Sequence, residues 1–217
     1  MSITSASYYI GELTVPNVGV TSSSIGGGTE NFQTFIDQFE EEALVFALGQ
    51  KLYNNFIGNT DGNGIVNPGA NQKWFDLMDG ATYTKSGVEY FWKGIKYQIG
   101  NRNFSLLAYY VYHRYINEQQ SYLSDVGNVA PDAANAFKTS AINRSVKAYQ
   151  KFINLYGNEH HYHNRNFYYN NGVLIKDYCG TYNNTGNVSL YHFLLHNEEN
   201  YNDWRFTRLE NKNSFGI

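Results

Sequence analysis

Cysteine is all but missing: Cys179 is the only one in 217 residues. That excludes an internal disulfide framework and any cysteine-rich zinc site, and it suits a reducing compartment in which thiols stay free. Long apolar runs are missing too. The longest, Ala43 to Leu48, is far too short to cross a bilayer, and Met1 leads into a polar Ser/Thr stretch rather than a basic segment followed by an apolar one. A soluble, unexported chain with no membrane partner is expected. Charge is scarce in either sign, with 16 Lys+Arg against 19 Asp+Glu and a net charge of −3. No basic surface is available for tracking nucleic acid, and sequence-specific DNA reading is not expected. What is present is aromatic: 17% of the chain, with 20 Tyr and 14 Phe, alongside 20 Gly and abundant Asn. Aromatic enrichment with charge depletion is the composition of an interface centre, so the surface suits contact with other proteins or with sugars. The length suits one sizeable domain, or a domain with an arm.

Residues 1–30 read as an N-terminal strand and loop arm. Tyr8-Tyr9-Ile10 looks strand-like, and Ser22 to Gly28 reads as a flexible Ser/Gly loop. Those glycines are not followed by Gly-Lys-Ser/Thr, so they do not cradle a phosphate. From the plausible N-cap Thr29, Phe32, Phe35, Ile36, Phe39, Ala43 and Phe46 recur at helical spacing, which places Glu40, Glu41 and Glu42 on a solvated face. Gly49 interrupts, and Leu52 and Phe56 restart a shorter helix ending near Gly58. Thr60 to Asn71 is loop. Its Asp61-Gly62-Asn63-Gly64 run is no calcium site, because Ile65 takes the next ligand position and no glutamate closes it. Trp74 to Met78 form a short helix stopped by Gly80, and residues 81–92 read as a β-hairpin turning at Lys85-Ser86-Gly87.

After Gly100, Phe104, Leu107, Ala108, Val111 and Tyr115 predict a helix capped by Asn101 or Asn103. Pro131 opens a further one running to Tyr156. That helix carries two apolar stripes, one through Phe137, Ala141, Ala148, Phe152 and Leu155 and one through Ile142, Val146, Tyr149, Ile153 and Tyr156, so it is covered from two sides. Residues 31–157 thus make a helical core. Residues 158–187 interrupt the pattern, and 188–217 hold a helix around Leu190 to Leu195 and an apolar tail expected to dock.

Little in the chain carries chemistry. His160, His161 and His163 cluster, and His192 and His196 stand at i,i+4, but Phe193 occupies the place of a zinc protease's glutamate and no third ligand is evident. No nucleophile elbow, dinucleotide fingerprint or redox cysteine pair is present. The chain is read as no enzyme, with no metal and no cofactor.

Several segments, in order, resemble a family of structural proteins of tailed phages of gut anaerobes, including crAss-like phages. They are Tyr9-Ile10-Gly11-Glu12-Leu13-Thr14-Val15-Pro16-Asn17; Ile36, Phe39-Glu40, Leu44, Leu48-Gly49, Leu52-Tyr53 and Phe56; Trp74, Leu77, Gly80 and Tyr83; and Trp92-Lys93-Gly94-Ile95. At the C-terminus, Leu190-Tyr191, Phe193-Leu194, Tyr201, Trp204 and Asn213 to Ile217 look like the family's ending. Between His160 and Val188 the chain departs from the pattern, as an insertion. The family is similar to head-tail connectors, the neck-ring adaptors below the portal. The resemblance implies a mainly α, connector-type helical bundle with a small β-hairpin and an extended C-terminal arm. It implies a non-enzymatic virion protein, made in the host bacterial cytoplasm and residing in the virion neck. Its implied partners are copies of itself in a twelve-fold ring, the portal protein, tail or further neck proteins, and genomic DNA passing through the channel without sequence-specific binding. The residues expected at inter-protein contacts are Tyr8, Tyr9, Trp92, Trp204, Phe206, Phe215 and Ile217. The rival reading from composition is a carbohydrate- or receptor-binding module of a virion appendage, against which the long helical patterns count.

Overall fold

Helix α1, Phe32–Leu48, forms where the apolar spacing places it, but its buried face is wider than that stripe. Leu44, Ala47 and Leu48 are buried beside Phe32, Ile36, Phe39 and Ala43, because α1 packs both on a later helix and under the N-terminal segment. The computed structural model describes residues 2–15, 32–118, 122–124, 127–129, 142–157, 169–170, 173–174, 188–205 and 207. Within 2–15, Ala6–Tyr8 and Gly11–Leu13 are 3-10 turns, where a strand at Tyr8 to Ile10 was expected. Extended backbone at Tyr8 would leave its ladder unpaired, whereas the turn closes Tyr8 N–H on Ser5 O at 3.0 Å. Glu40 is a second correction: it lies in the core and not on a solvated face. Its neighbour Glu41 is exposed and Glu42 half-buried.

Gly49, at φ 78°, ends α1 and lets α2, Gln50–Ile57, leave in a new direction with Leu52 and Phe56 buried. Helix α3, Gln72–Asp79, is capped by Asn71, whose side-chain oxygen accepts from Lys73 N–H at 3.1 Å. The first hairpin pairs β1, Ala81–Lys85, with β2, Val88–Trp92, in the register Ala81 to Trp92 and Lys85 to Val88. Its two-residue turn has positive φ at Ser86 and Gly87, as a primed turn requires.

A second hairpin follows that the spacing did not predict: β3, Lys96–Ile99, pairs with β4, Arg102–Ser105. Phe104 therefore belongs to a strand, and helix α4 begins at Leu106 and runs to Glu118. Its cap is Ser105, whose hydroxyl oxygen accepts from Leu107 N–H at 3.1 Å, in place of the asparagine cap expected. Every residue from Leu106 to His113 is buried, so α4 is enclosed on all sides over its first two turns, with α1 and α5 packed along it, and is exposed at Asn117 and Glu118.

A short antiparallel pair, β5 (Tyr122–Ser124) and β6 (Gly127–Val129), precedes α5, Ile142–Tyr156. The members of both stripes from Val146 through Tyr156 are buried, while Phe137 and Ala141 lie outside the described residues. The proposed start at Pro131 lies outside the described residues. A further pair, β7 (Tyr169–Asn170) and β8 (Val173–Leu174), lies inside the insertion. Helix α6, Leu190–His196, buries Leu190, Phe193 and Leu194. The two ends of the 158–187 stretch meet: a Cβ on Gly157 would lie 2.6 Å from that of Ser189. The architecture is mainly helical with small antiparallel hairpins.

One joint ties these layers together. Gly80 and Gly94 lie back to back, so that a Cβ on Gly80 would stand 2.5 Å from Trp92 O, and one on Gly94 2.5 Å from Met78 O. Across it the Trp92 indole N–H donates to Leu77 O at 3.1 Å, and Ile95 N–H donates to the same carbonyl at 3.2 Å.

Candidate interaction surface

The aromatic residues expected at contacts divide into two groups. Trp92 is 0% exposed and its ring stacks on Phe193 at 5.6 Å, while Tyr9 is buried edge-on against Phe32 at 4.7 Å. These two rings are used in internal packing. Tyr8 is half-buried, as is Trp204. The Trp204 indole donates to Ala47 O at 3.0 Å, and Arg205 N–H donates to Leu48 O at 3.3 Å, so the segment after α6 satisfies carbonyls that the end of α1 leaves open. Asp203 adds an ion pair with Lys51 at 2.5 Å, and the Tyr156 hydroxyl donates to Thr207 O at 2.8 Å. The tail thus docks on its own chain as far as it is described. Phe206, Phe215 and Ile217 lie outside the described residues, as do His160, His161 and His163.

Structure adds a seam of half-buried rings that the spacing did not single out. Tyr90 lies 4.7 Å from His196, His196 5.4 Å from His192, His192 5.8 Å from Tyr191, and Tyr191 5.5 Å from Trp204. The seam joins the first hairpin, α6 and the C-terminal segment. Tyr83 stacks on Tyr90 at 5.6 Å and holds His196 Nδ1 at 3.0 Å through its hydroxyl. Phe91, on the opposite face of β2, is 38% exposed, and Leu195 is exposed at the end of α6. Strict alternation along β2 puts Tyr90 and Trp92 on one face and Phe91 on the other, and that was the signal available in the sequence. Ile10, Ile65 and Ile99 are exposed as well.

The histidine pair is not arranged as a chelate. Its rings are within 8° of parallel, and His196 Nδ1 is engaged by Tyr83. Burial, with His196 alongside, pushes His192 down to about 3, so it is a neutral packing group at ordinary pH. Among the described residues no three His, Cys, Asp or Glu side chains gather as a metal site would need.

A serine, a histidine and an asparagine do meet between α4 and α5. Ser145 Oγ stands 2.8 Å from His113 Nδ1 and donates to Asn117 Oδ1 at 2.7 Å, while Asn117 Nδ2 lies 3.3 Å from His113 Nε2. A nucleophilic serine needs its proton taken by the histidine and its oxygen open to substrate. Here the hydroxyl proton goes to the asparagine, and both Ser145 and His113 are buried, so the trio clasps two helices. Close by, burial and the adjacent Glu42 carboxylate raise the Tyr110 phenol well above its ordinary value. Among the described residues no helix is long and apolar enough to cross a membrane.

Compared with protein-family models, with curated proteins and with solved structures, the chain matches none.

Proposed function

We propose that this chain is a structural subunit of the neck of a tailed phage, a head-tail connector that assembles with copies of itself into a ring below the portal. The observation that carries the reading is the ordered set of segments through which the chain resembles that family. Support comes from where those segments fall. Leu77, Gly80, Trp92, Gly94 and Ile95 build the joint between α3 and the first hairpin, Trp74 packs α3 on Phe56 of α2, and Leu48-Gly49 forms the α1–α2 break on which the C-terminal segment docks. Residues shared for such reasons speak to a shared fold. A ring subunit needs two complementary faces, and a charge-poor chain bearing an aromatic seam can supply one of them.

In this reading the subunit extends the DNA exit channel, contacts portal and tail or further neck proteins, and lets genomic DNA pass without reading it. A net charge of −3 per copy favours passage over grip. The C-terminal segment is an arm that docks in the assembly, continuing from Trp204 through Phe206 to Phe215 and Ile217. Immunogold electron microscopy of intact virions, with antibody raised against the purified chain, tests the assignment. Label at the head-tail junction is expected. Label on fibres or capsid faces overturns it in favour of an appendage-binding module, and label that appears only after disruption makes the chain an internal protein.

A further inference from the structure

Residues 59–67 close on themselves as a small loop hairpin. Thr60 bridges Val66, Asn67 N–H donates to Asn59 O at 2.9 Å, and Asp61 N–H donates to Ile65 O at 2.8 Å. The tip is gathered on one residue: Asp61 Oδ1 accepts from Asn63 N–H at 2.9 Å and from Ile65 N–H at 2.8 Å, and the Asp61 carbonyl accepts from Gly64 N–H at 3.1 Å. Three successive amides are thus turned inward, while Asn63 itself is exposed. Gly64, at φ 68°, lies against the N-terminal segment, and a Cβ on it would stand 2.7 Å from both Ile3 Cα and Ser2 O. That segment is held on α1 by the Ile3 and Thr4 amides, which donate to the buried Glu40 carboxylate at 2.6 and 2.9 Å.

We propose that Asn63-Gly64 is a self-modification site of this chain, held back by Asp61 while the tip is closed, and that conversion of Asn63 to isoaspartate lifts Ser2–Thr4 off α1. An asparagine before a glycine is open to this chemistry because no side chain shields the next backbone nitrogen. Hydroxide takes the Gly64 amide proton, the nitrogen attacks Asn63 Cγ, and the Cγ–Nδ2 bond breaks, the side-chain nitrogen leaving as ammonia with a proton supplied by water. Water then opens the succinimide. Cleavage of the new N–Cγ bond gives aspartate, whereas cleavage of the original bond from the Asn63 carbonyl carbon to Gly64 N gives isoaspartate, with the main chain running through Cβ and Cγ. Water is consumed and ammonia released, and nothing is oxidised or reduced.

The closed tip blocks the first step. Gly64 N cannot attack while its proton is donated to Asp61 O, and the two amides on the Asp61 carboxylate fix the chain on either side of it. Reaction therefore waits for local opening of the loop. The two products then differ in consequence. Aspartate keeps the length of the main chain, but isoaspartate adds a carbon to it directly before Gly64. The atoms nearest that glycine are the backbone of Ser2 and Ile3, which cannot swing aside as a side chain would. The bonds that give are those from Ile3 and Thr4 to Glu40.

The test uses the full chain, aged at mildly alkaline pH both folded and in urea. Trypsin frees Asn63 in the peptide between Lys51 and Lys73, where mass spectrometry reads deamidation and electron-transfer fragmentation separates isoaspartate from aspartate. Folded wild type should convert at least about tenfold more slowly than the urea-unfolded chain, and folded Asp61→Ala should recover most of that factor. Wild type aged in urea and refolded should then show, by hydrogen exchange, a less protected population at the Ile3 and Thr4 amides that matches its isoaspartate content. Asn63→Asp, which copies the other product, should keep both amides protected. Equal rates in folded and unfolded wild type, or an Asp61→Ala rate no faster than the folded wild type, would overturn the guard. Isoaspartate-bearing chains as protected at Ile3 and Thr4 as fresh protein would overturn the unseating, whatever the behaviour of Asp61→Ala.

Discussion

The joint between α3 and the first hairpin gives a prediction that separates two physical effects. Gly94 sits at φ 97°, and a Cβ there would stand 2.5 Å from Met78 O, 2.6 Å from Asp79 C and 2.7 Å from Gly80 N. All three atoms are backbone, so no side chain can swing away to relieve the contact. Gly94→Ala therefore carries the left-handed backbone cost of about 1–2 kcal/mol, plus the strain of parting two chain segments that also share the Trp92 and Ile95 bonds to Leu77. Overpacking of this kind costs about 1–3 kcal/mol more. The sum, about 2–5 kcal/mol, is a large share of a typical domain's stability of about 5–15 kcal/mol. Gly87 supplies the control: it has φ 78° in the hairpin turn with nothing within 4 Å of its would-be Cβ, so Gly87→Ala carries the backbone cost alone. Urea melts of the two variants, followed by circular dichroism, measure the difference directly. Gly94→Ala should lie below Gly87→Ala by at least about 1 kcal/mol. If the two are equally stable, the close approach at the joint is not what the geometry says it is.

Three further outcomes can be checked in the same way. The Tyr112 hydroxyl is buried without a hydrogen-bond partner among the described residues, so Tyr112→Phe should stabilise by up to about 1 kcal/mol in denaturant melts, and a loss of similar size would mean that the hydroxyl is bonded. Because Gly157 and Ser189 touch, replacing residues 158–187 with a short Gly/Ser linker should leave the helical spectrum intact. The shorter loop lowers the closure cost by about 2 kcal/mol, and an unfolded product would show that the insertion props the core. His192 is held near 3 in the folded chain against an ordinary 6.5, so between those pH values the unfolded chain binds the extra proton and stability falls with falling pH, by up to about 1.4 kcal/mol per unit. His192→Phe should therefore gain on the wild type throughout the range below pH 6.5, and parallel curves would refute the burial of His192.

Periodicity by itself determined the helices α1, α2, α3, α5 and α6, because each repeats its apolar residues at helical spacing, and the first four also meet a glycine at an end. It also determined the first hairpin, where alternation flanks a turn that Ser86 and Gly87 can make. The second hairpin was not legible: four-residue strands are too short to establish a period, and Phe104 happens to stand at helical distance from Leu107 and Ala108. Tertiary structure alone decided which side of a residue faces the core when its partners are distant in the chain. Glu40 reads as one of three solvated glutamates until residues 3 and 4 arrive as donors. That the Trp92 and Tyr9 rings pack on Phe193 and Phe32 is decided by segments far away in the chain, and the ring seam exists only because α6 lies against the first hairpin. Local spacing records what neighbours along the chain require, whereas burial is set by surfaces brought together from far apart in it.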